Sequence, residues 1–241
     1  MMKKCLLNAI FSAVCLFFCL SCAARVSGSL LADGKADIHV NAALEPRMTM
    51  LLGSLAAASG MVQQGAPLLN GPSVSASMSA APGVSSAALA NKTPSSIEGP
   101  VKISQINDFL AHGKEQGFIS FEQGTPSKDG KCAVNLSRES GEELLGLLSD
   151  EISAYLEALM APLATGEKMT KAEYLVLVAS VYGRGIADEI SQAAIQVSID
   201  FPGQVRSVRG GTFSGRKAEF SIPLLDLLVL EVPLHYEVIW R

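Results

Sequence analysis

An α+β domain behind an N-terminal export signal is what this sequence predicts, and three observations carry the prediction. "KADIHVNAAL" (35–44) alternates strictly, with Ala36, Ile38, Val40, Ala42 and Leu44 on one side and Lys35, Asp37, His39 and Asn41 on the other. That is the period of a strand with one buried face. Two central segments open with Ser140-Gly-Glu-Glu143 and Thr170-Lys-Ala-Glu173. Both read as capping boxes, in which hydroxyl and carboxylate each satisfy a free backbone N–H at a helix start. The final third returns to strand patterning, with Ile195, Val197, Ile199 and Phe201 directed inward.

The chain begins with four of its five cysteines, Cys5, Cys15, Cys19 and Cys22, in an apolar run without histidine or acid. Zinc sites repeat their paired cysteines on polar loops. Here Cys19 and Cys22 have no second pair, and a redox C-x2-C would open a helix after a buried strand. The layout is that of a secretory signal. Lys3 and Lys4 come first, then an apolar stretch over 5–20, then small residues at Ser21, Ala23 and Ala24. Sixteen such residues are short for a spanning helix, which needs about 20.

Two processing routes are open at that zone. Signal peptidase could cut after Ala23, reading Ser21 and Ala23 as its small residues. Alternatively "CLSC" (19–22) resembles a bacterial lipobox, with Ser21 before an acylated Cys22. Cys19 and Leu20 depart from the usual residues, a loosening similar to that of spirochaete lipoproteins. Residues 1–21 are then a lipoprotein signal peptide, and residues 22–34 a lipidated tether. The acyl chains on Cys22 are the membrane partner, since several chains together anchor stably where one does not.

After residue 21 the chain keeps 17 basic and all 23 acidic residues. Without a basic cluster such a chain is a poor partner for nucleic acid or anionic headgroups. Aromatic residues make up 6% of the sequence, too few for a sugar-stacking platform. The about 220 residues that remain suffice for one large domain, placed over 35–241.

Along that domain, Pro46 opens an alanine- and methionine-rich helix to about residue 64. Its Met48, Met50 and Met61 suit a lid over an apolar ligand as well as an ordinary core helix. Residues 65–100 differ in kind. Gly, Ala, Ser and Pro fill 24 of 36 positions and Lys92 and Glu98 are the only charges, so a flexible loop is expected. "SQINDFLAHGKEQG" (104–117) reads as a short helix, and "FISFEQ" and "CAVNLS" as a hairpin around "TPSKDGK". The first capped helix carries Leu144, Leu145, Leu148, Ile152, Tyr155, Leu156 and Leu159 in one stripe. The second, running to 186, carries Tyr174, Leu175, Val178, Val181, Tyr182 and Ile186. "FPGQV" is a turn and "GTFSGRKAEFSIPL" a strand. "LEVPLHYEVIWR" is a last strand in which Pro233 suggests an edge or a bulge.

Motifs for catalysis, metals and cofactors fall away. "GTPSKDGK" (124–131) has the wrong spacing for a phosphate loop, and Cys132 stands where Ser or Thr should hold magnesium. His39, His112 and His235 lack metal-ligand spacing. Cys132 has no neighbouring histidine to make a thiolate and reads as a small residue in a strand. No catalytic, metal or cofactor site is expected, and no enzyme.

One stretch carries a family resemblance. In "AAIQVSIDFPGQVRSVRGGTFSGRKAEFSIPL" (193–224), a strand ends in Phe201-Pro202-Gly203, a glycine-containing linker follows, and Gly215 and Phe220 mark a second strand. This resembles the LppM-like domain of bacterial envelope lipoproteins. The resemblance implies a curved antiparallel β-sheet with helices packed on one face, a lipid-binding role at the envelope, and no enzyme activity. The expected function is therefore a non-catalytic binding module for lipid or another apolar envelope ligand, anchored to a membrane and facing periplasm or cell surface. The alternative is a scaffold lipoprotein whose 65–100 loop engages an envelope protein partner. No residues are assigned to the ligand.

Overall fold

The computed structural model describes residues 22–59, 67–115, 117–141, 145 and 150–241. The class is α+β, as the sequence predicts, with two sheets rather than one. The large sheet takes β1 (Cys22–Leu30), β2 (Ala36–Leu44), β3 (Val84–Ala87), β4 (Ala90–Thr93), β5 (Ser96–Ile103), β8 (Ala194–Asp200), β10 (Gly211–Ser214) and β11 (Lys217–Pro223). Its order is β10-β11-β8-β1-β2-β5-β3, with β4 also on β5. Every pair is antiparallel except β1 with β8, which run parallel. The small antiparallel sheet takes β6 (Ile119–Glu122), β7 (Gly130–Leu136), β9 (Val205–Arg209) and β12 (Leu234–Trp240), ordered β6-β7-β12-β9.

The chain passes from the small sheet into the large one at Gly210, between β9 and β10. That residue has φ +78, and a Cβ there would stand 2.6 Å from the ring of Tyr236. Only glycine meets both conditions without strain.

The large sheet buries alternate residues. Ala24, Val40, Ala42, Ile97, Val101, Ile195 and Ala218 are all at most 4% exposed. They share one apolar core with residues of α1 (Pro46–Ser59), α6 (Lys171–Tyr182), α7 (Arg184–Gln192) and α8 (Leu224–Val229). Met48, Leu52, Tyr174, Val178, Ile190 and Leu228 supply the helix side. The described residues also form α2 (Gly71–Ser79), α3 (Ile106–Glu115), α4 (Asp150–Ala158) and α5 (Pro162–Thr165).

Several expectations are corrected. Residues 22–30 are not a tether but β1, an interior strand paired with β2 on one side and β8 on the other. Glycine and serine weaken its alternation (Ala24, Val26, Gly28, Leu30), and the ladders that hold it come from residues 36–44 and 195–200.

The loop expected at 65–100 is, over residues 67–100, a helix and three strands. Asn70 caps α2 by accepting from Ser73 N at 3.1 Å, and Pro72 sits in its first turn. Ser75 Oγ donates to Leu89 O at 3.0 Å and accepts from Leu89 N at 2.6 Å. Small polar residues here serve the backbone instead of leaving it to water. Leu69, Val74, Met78, Leu89 and Ile97 are buried, a few large side chains among many small ones, which composition alone averages away.

The second capped helix is two helices. Its Thr170–Glu173 capping box is formed, but Gly183, at φ +91, separates α6 from α7. Val181, assigned to the inner stripe, is 54% exposed. The other stripe is described in part: Tyr155, Leu156 and Leu159 are buried, while Leu144 and Leu148 lie outside the described residues. Ser140 Oγ donates to Ser137 O at 3.0 Å and accepts from Ser137 N at 2.9 Å; Glu143 lies outside the described residues.

Strand β9 was not foreseen, and 224–229, of which only Leu224 fell in an expected strand, is helix α8. Pro233 stands just before β12, and β12 is an inner strand of its sheet, between β7 and β9. A register shift between Ile239 and Trp240 supplies the bulge, away from the proline.

Candidate functional site

The outward rows of the large sheet are polar because the strand period sends every second residue away from the core. One row runs in register across five strands: Glu98 (β5), Asn41 (β2), Arg25 (β1), Gln196 (β8) and Ser221 (β11). The next contains His39, Ser27, Ser198 and Glu219. Two depressions lie on this face, of about 730 Å³ and about 980 Å³, and Arg25, Ser27 and Gln196 border both.

Most charges in the first depression are occupied. His39 Nε2 lies 3.1 Å from Glu98 Oε1, and Lys92 Nζ lies 3.6 Å from Glu98 Oε2. Glu189 accepts from the backbone N–H groups of Arg47 at 3.1 Å and Met48 at 2.9 Å. It thereby caps the start of α1 from another helix, with its charge at the favourable end of the helix dipole. Gln196 Nε2 donates to Ser221 Oγ at 2.8 Å. Two charged side chains lining this depression, Arg25 and Glu45, have no ion-pair partner among the described residues.

A second, shallower feature lies where α1 crosses α7. This open groove of about 630 Å³ is lined by Met50, Leu51, Tyr182 and Ile186, with Arg47 and Asp188 at its rim. The methionines of α1 divide. Met48 is fully buried core, Met50 is 68% exposed, and Met61 lies outside the described residues. A solvated methionine beside Leu51 and Ile186 is a flexible, polarisable apolar surface of the sort that adapts to varied ligands. The Arg47 side chain lies over Gly185, where a Cβ would stand 2.4 Å from its guanidinium.

Cys132 lies on β7, as expected, opposite Val238 and Phe121. Burial pushes its thiol up to about 11, with Lys114 opposing weakly, so it is held as a neutral thiol. Among the described residues no three His, Cys, Asp or Glu side chains gather where a metal could sit. No described helix is long and apolar enough to cross a membrane. Cys22, the expected lipid-attachment residue, opens β1 in register with Leu44.

Sequence reasoning missed Arg25, Glu45 and Arg47. Arg25 fell in the supposed tether, and its place on the open face follows only from the alternation of Ala24, Val26 and Leu30 around it. Arg47 and Ile186 meet through helix packing across some 140 positions, which no local pattern signals.

No protein-family model and no curated protein matches this sequence. Among solved structures, the chain is similar to the folded domain of LppM from Mycobacterium tuberculosis, at 12% identity and a TM-score of 0.41, over 93% of this chain and 92% of that one. A likeness at that level assigns neither family nor function. The fold and its surfaces define an α+β protein with a polar sheet face on one side and a small apolar groove between helices on the other.

Proposed function

We propose that this protein is an envelope lipoprotein, anchored by acyl chains on Cys22, that works as a non-catalytic binding module for a lipid or similar apolar ligand. The observation that carries the binding reading is the groove at the α1–α7 crossing, with Met50 exposed beside Leu51 and Ile186 and Arg47 at the rim. An acyl chain against Met50 and Leu51 would leave its anionic end to the Arg47 guanidinium and away from Asp188, an apolar lining with two opposite orienting charges. The lipobox-like "CLSC" supports the anchor. With Cys22 at the first position of β1, the acyl chains would leave directly from the sheet, holding the domain close to the membrane. The alternative, a scaffold whose 65–100 segment engages an envelope protein partner, would present a folded surface rather than a flexible loop, since residues 67–100 pack as helix and sheet.

Two measurements test this. Cys22→Ala should move the protein from the detergent phase to the aqueous phase and abolish palmitate labelling; unchanged partitioning removes the anchor. A fluorescent fatty acid should bind the Cys22→Ala chain saturably at micromolar concentration. Met50→Asp should weaken that binding about tenfold or more, since burying a methionine contributes about 1.5–3 kcal/mol. Its own melting temperature should hardly change, because Met50 already faces water. Saturable binding that survives Met50→Asp would put the ligand elsewhere, and no binding at all would refute the lipid reading.

A further inference from the structure

The 730 Å³ depression on the open sheet face holds a charge pattern unrelated to the apolar groove. Three carboxylates line it. Glu98 is satisfied by His39 and Lys92, and Glu189 by two backbone N–H groups of α1. Glu45 is half-buried at the junction of β2 and α1, and its carboxylate has no partner among the described residues. Arg25, on the neighbouring strand, is likewise unpaired. The two line one cavity yet stand beyond ion-pair distance of each other. Arg25 is in register with Asn41, and Glu45 follows four positions later. At about 3.3 Å per residue, the two backbones are offset by about 13 Å along the strand.

A purely anionic ligand would meet Arg25 but also three carboxylates; a simple cation would leave Arg25 unsatisfied. A ligand carrying both charges, several atoms apart, satisfies both groups without adding net charge. An α-amino acid carries both charges on one carbon and so spans less of that offset than a ligand whose charges stand several atoms apart. The guanidinium fork matches a phosphate oxyanion bidentately, and the side-chain amides of Asn41 and Gln192 in the same lining can hydrogen-bond either end. Quaternary ammonium groups are held by aromatic cages, and no Phe, Tyr or Trp is among the residues that line this pocket. A primary ammonium, which donates hydrogen bonds to a carboxylate, fits instead.

We propose that this pocket binds a zwitterionic phosphate–ammonium group of the phosphoethanolamine type, with phosphate on Arg25 and ammonium on Glu45. The chemistry is shared by a free phosphoethanolamine solute and by a phospholipid headgroup. The reading is independent of the groove at Met50.

Calorimetric titration of the full-length Cys22→Ala chain with O-phosphoethanolamine should show saturable binding. Inorganic phosphate, ethanolamine and O-phosphocholine should each bind at least tenfold more weakly. Arg25→Gln and Glu45→Gln should each weaken phosphoethanolamine binding at least tenfold with the melting temperature kept, while Met50→Asp leaves it unchanged. Sedimentation of the same chain with phosphatidylethanolamine vesicles, against phosphatidylcholine vesicles, separates the sources. Retention on the former that Arg25→Gln removes identifies a headgroup; binding of the free compound without vesicle preference identifies a solute. Phosphate binding as tightly as phosphoethanolamine, both variants binding like the parent, or no saturation at all would overturn the proposal.

Discussion

Ile97 decides whether the Gly/Ala/Ser/Pro-rich segment is structure. It is 1% exposed in β5, in register with Ala42 of β2 and Asn91 of β4. Backbone ladders on both sides prevent the sheet from closing over a lost side chain, so Ile97→Ala leaves most of its volume as a cavity. Such truncations cost about 2–5 kcal/mol, and poor collapse places this one near about 3–4 kcal/mol. For a chain of this size each kcal/mol lowers Tm by about 2–4 °C, giving a fall on the order of 6–16 °C. Its neighbour is the control. Glu98 points to the open face and makes solvent-exposed pairs with His39 and Lys92, which contribute about 0–1 kcal/mol. Thermal and urea unfolding followed by circular dichroism should therefore show a large loss for Ile97→Ala and a small one for Glu98→Ala. Gly99→Ala should behave like the former, because its Cβ would stand 1.9 Å from Ala88 O. An Ile97→Ala protein that unfolds with the parent would refute the packing of this whole segment.

Other predictions concern single contacts. Cys132 should resist alkylation at pH 8 in the native protein and react readily in urea. From the ordinary thiol value of 9.0 to about 11 the unfolded chain ionises while the buried thiol does not. Stability should therefore fall as pH rises through that window, and Cys132→Ala should reduce the fall between about pH 9 and 10, the part above 10 being shared with the buried tyrosines Tyr174 and Tyr236. Thr170→Ala, which deletes the hydroxyl accepting from Glu173 N at 3.2 Å, should destabilise by about 1 kcal/mol in urea unfolding. Hydrogen bonds from the Thr170 backbone and hydroxyl hold the Glu173 carboxyl below its usual range, so that part of the cap should be lost as pH falls into the acid range. Arg138 donates Nη2 to Met169 O at 2.7 Å and Nε to Leu230 O at 3.0 Å. Arg138→Met should cost about 2–3 kcal/mol in the same assay, since charged donors contribute about 1.5–3 kcal/mol per bond.

What could be read from the sequence was what rests on short-range periodicity and capping. Strand β2, the inward face of β8, the β6–β7 hairpin, the Thr170 cap and the α+β class all depend on residues within one turn or one strand of each other. The export signal expected over 1–21, outside the described residues, rests on equally local features: charge, apolar length and small residues in order. What only the tertiary structure decided rests on distant partners. Strand β1 is held by β8, about 170 positions away, and β5 by β2, so segments whose own composition looks like linker become interior strands. Glycine and alanine there are fitted to close backbone approach, as at Gly99 against Ala88. The open face follows the same logic. Arg25, Asn41, Glu45 and Gln192 are unremarkable where they stand in the chain, and they become one cavity because parallel pairing of β1 with β8 brings the start of the domain beside the end of α7.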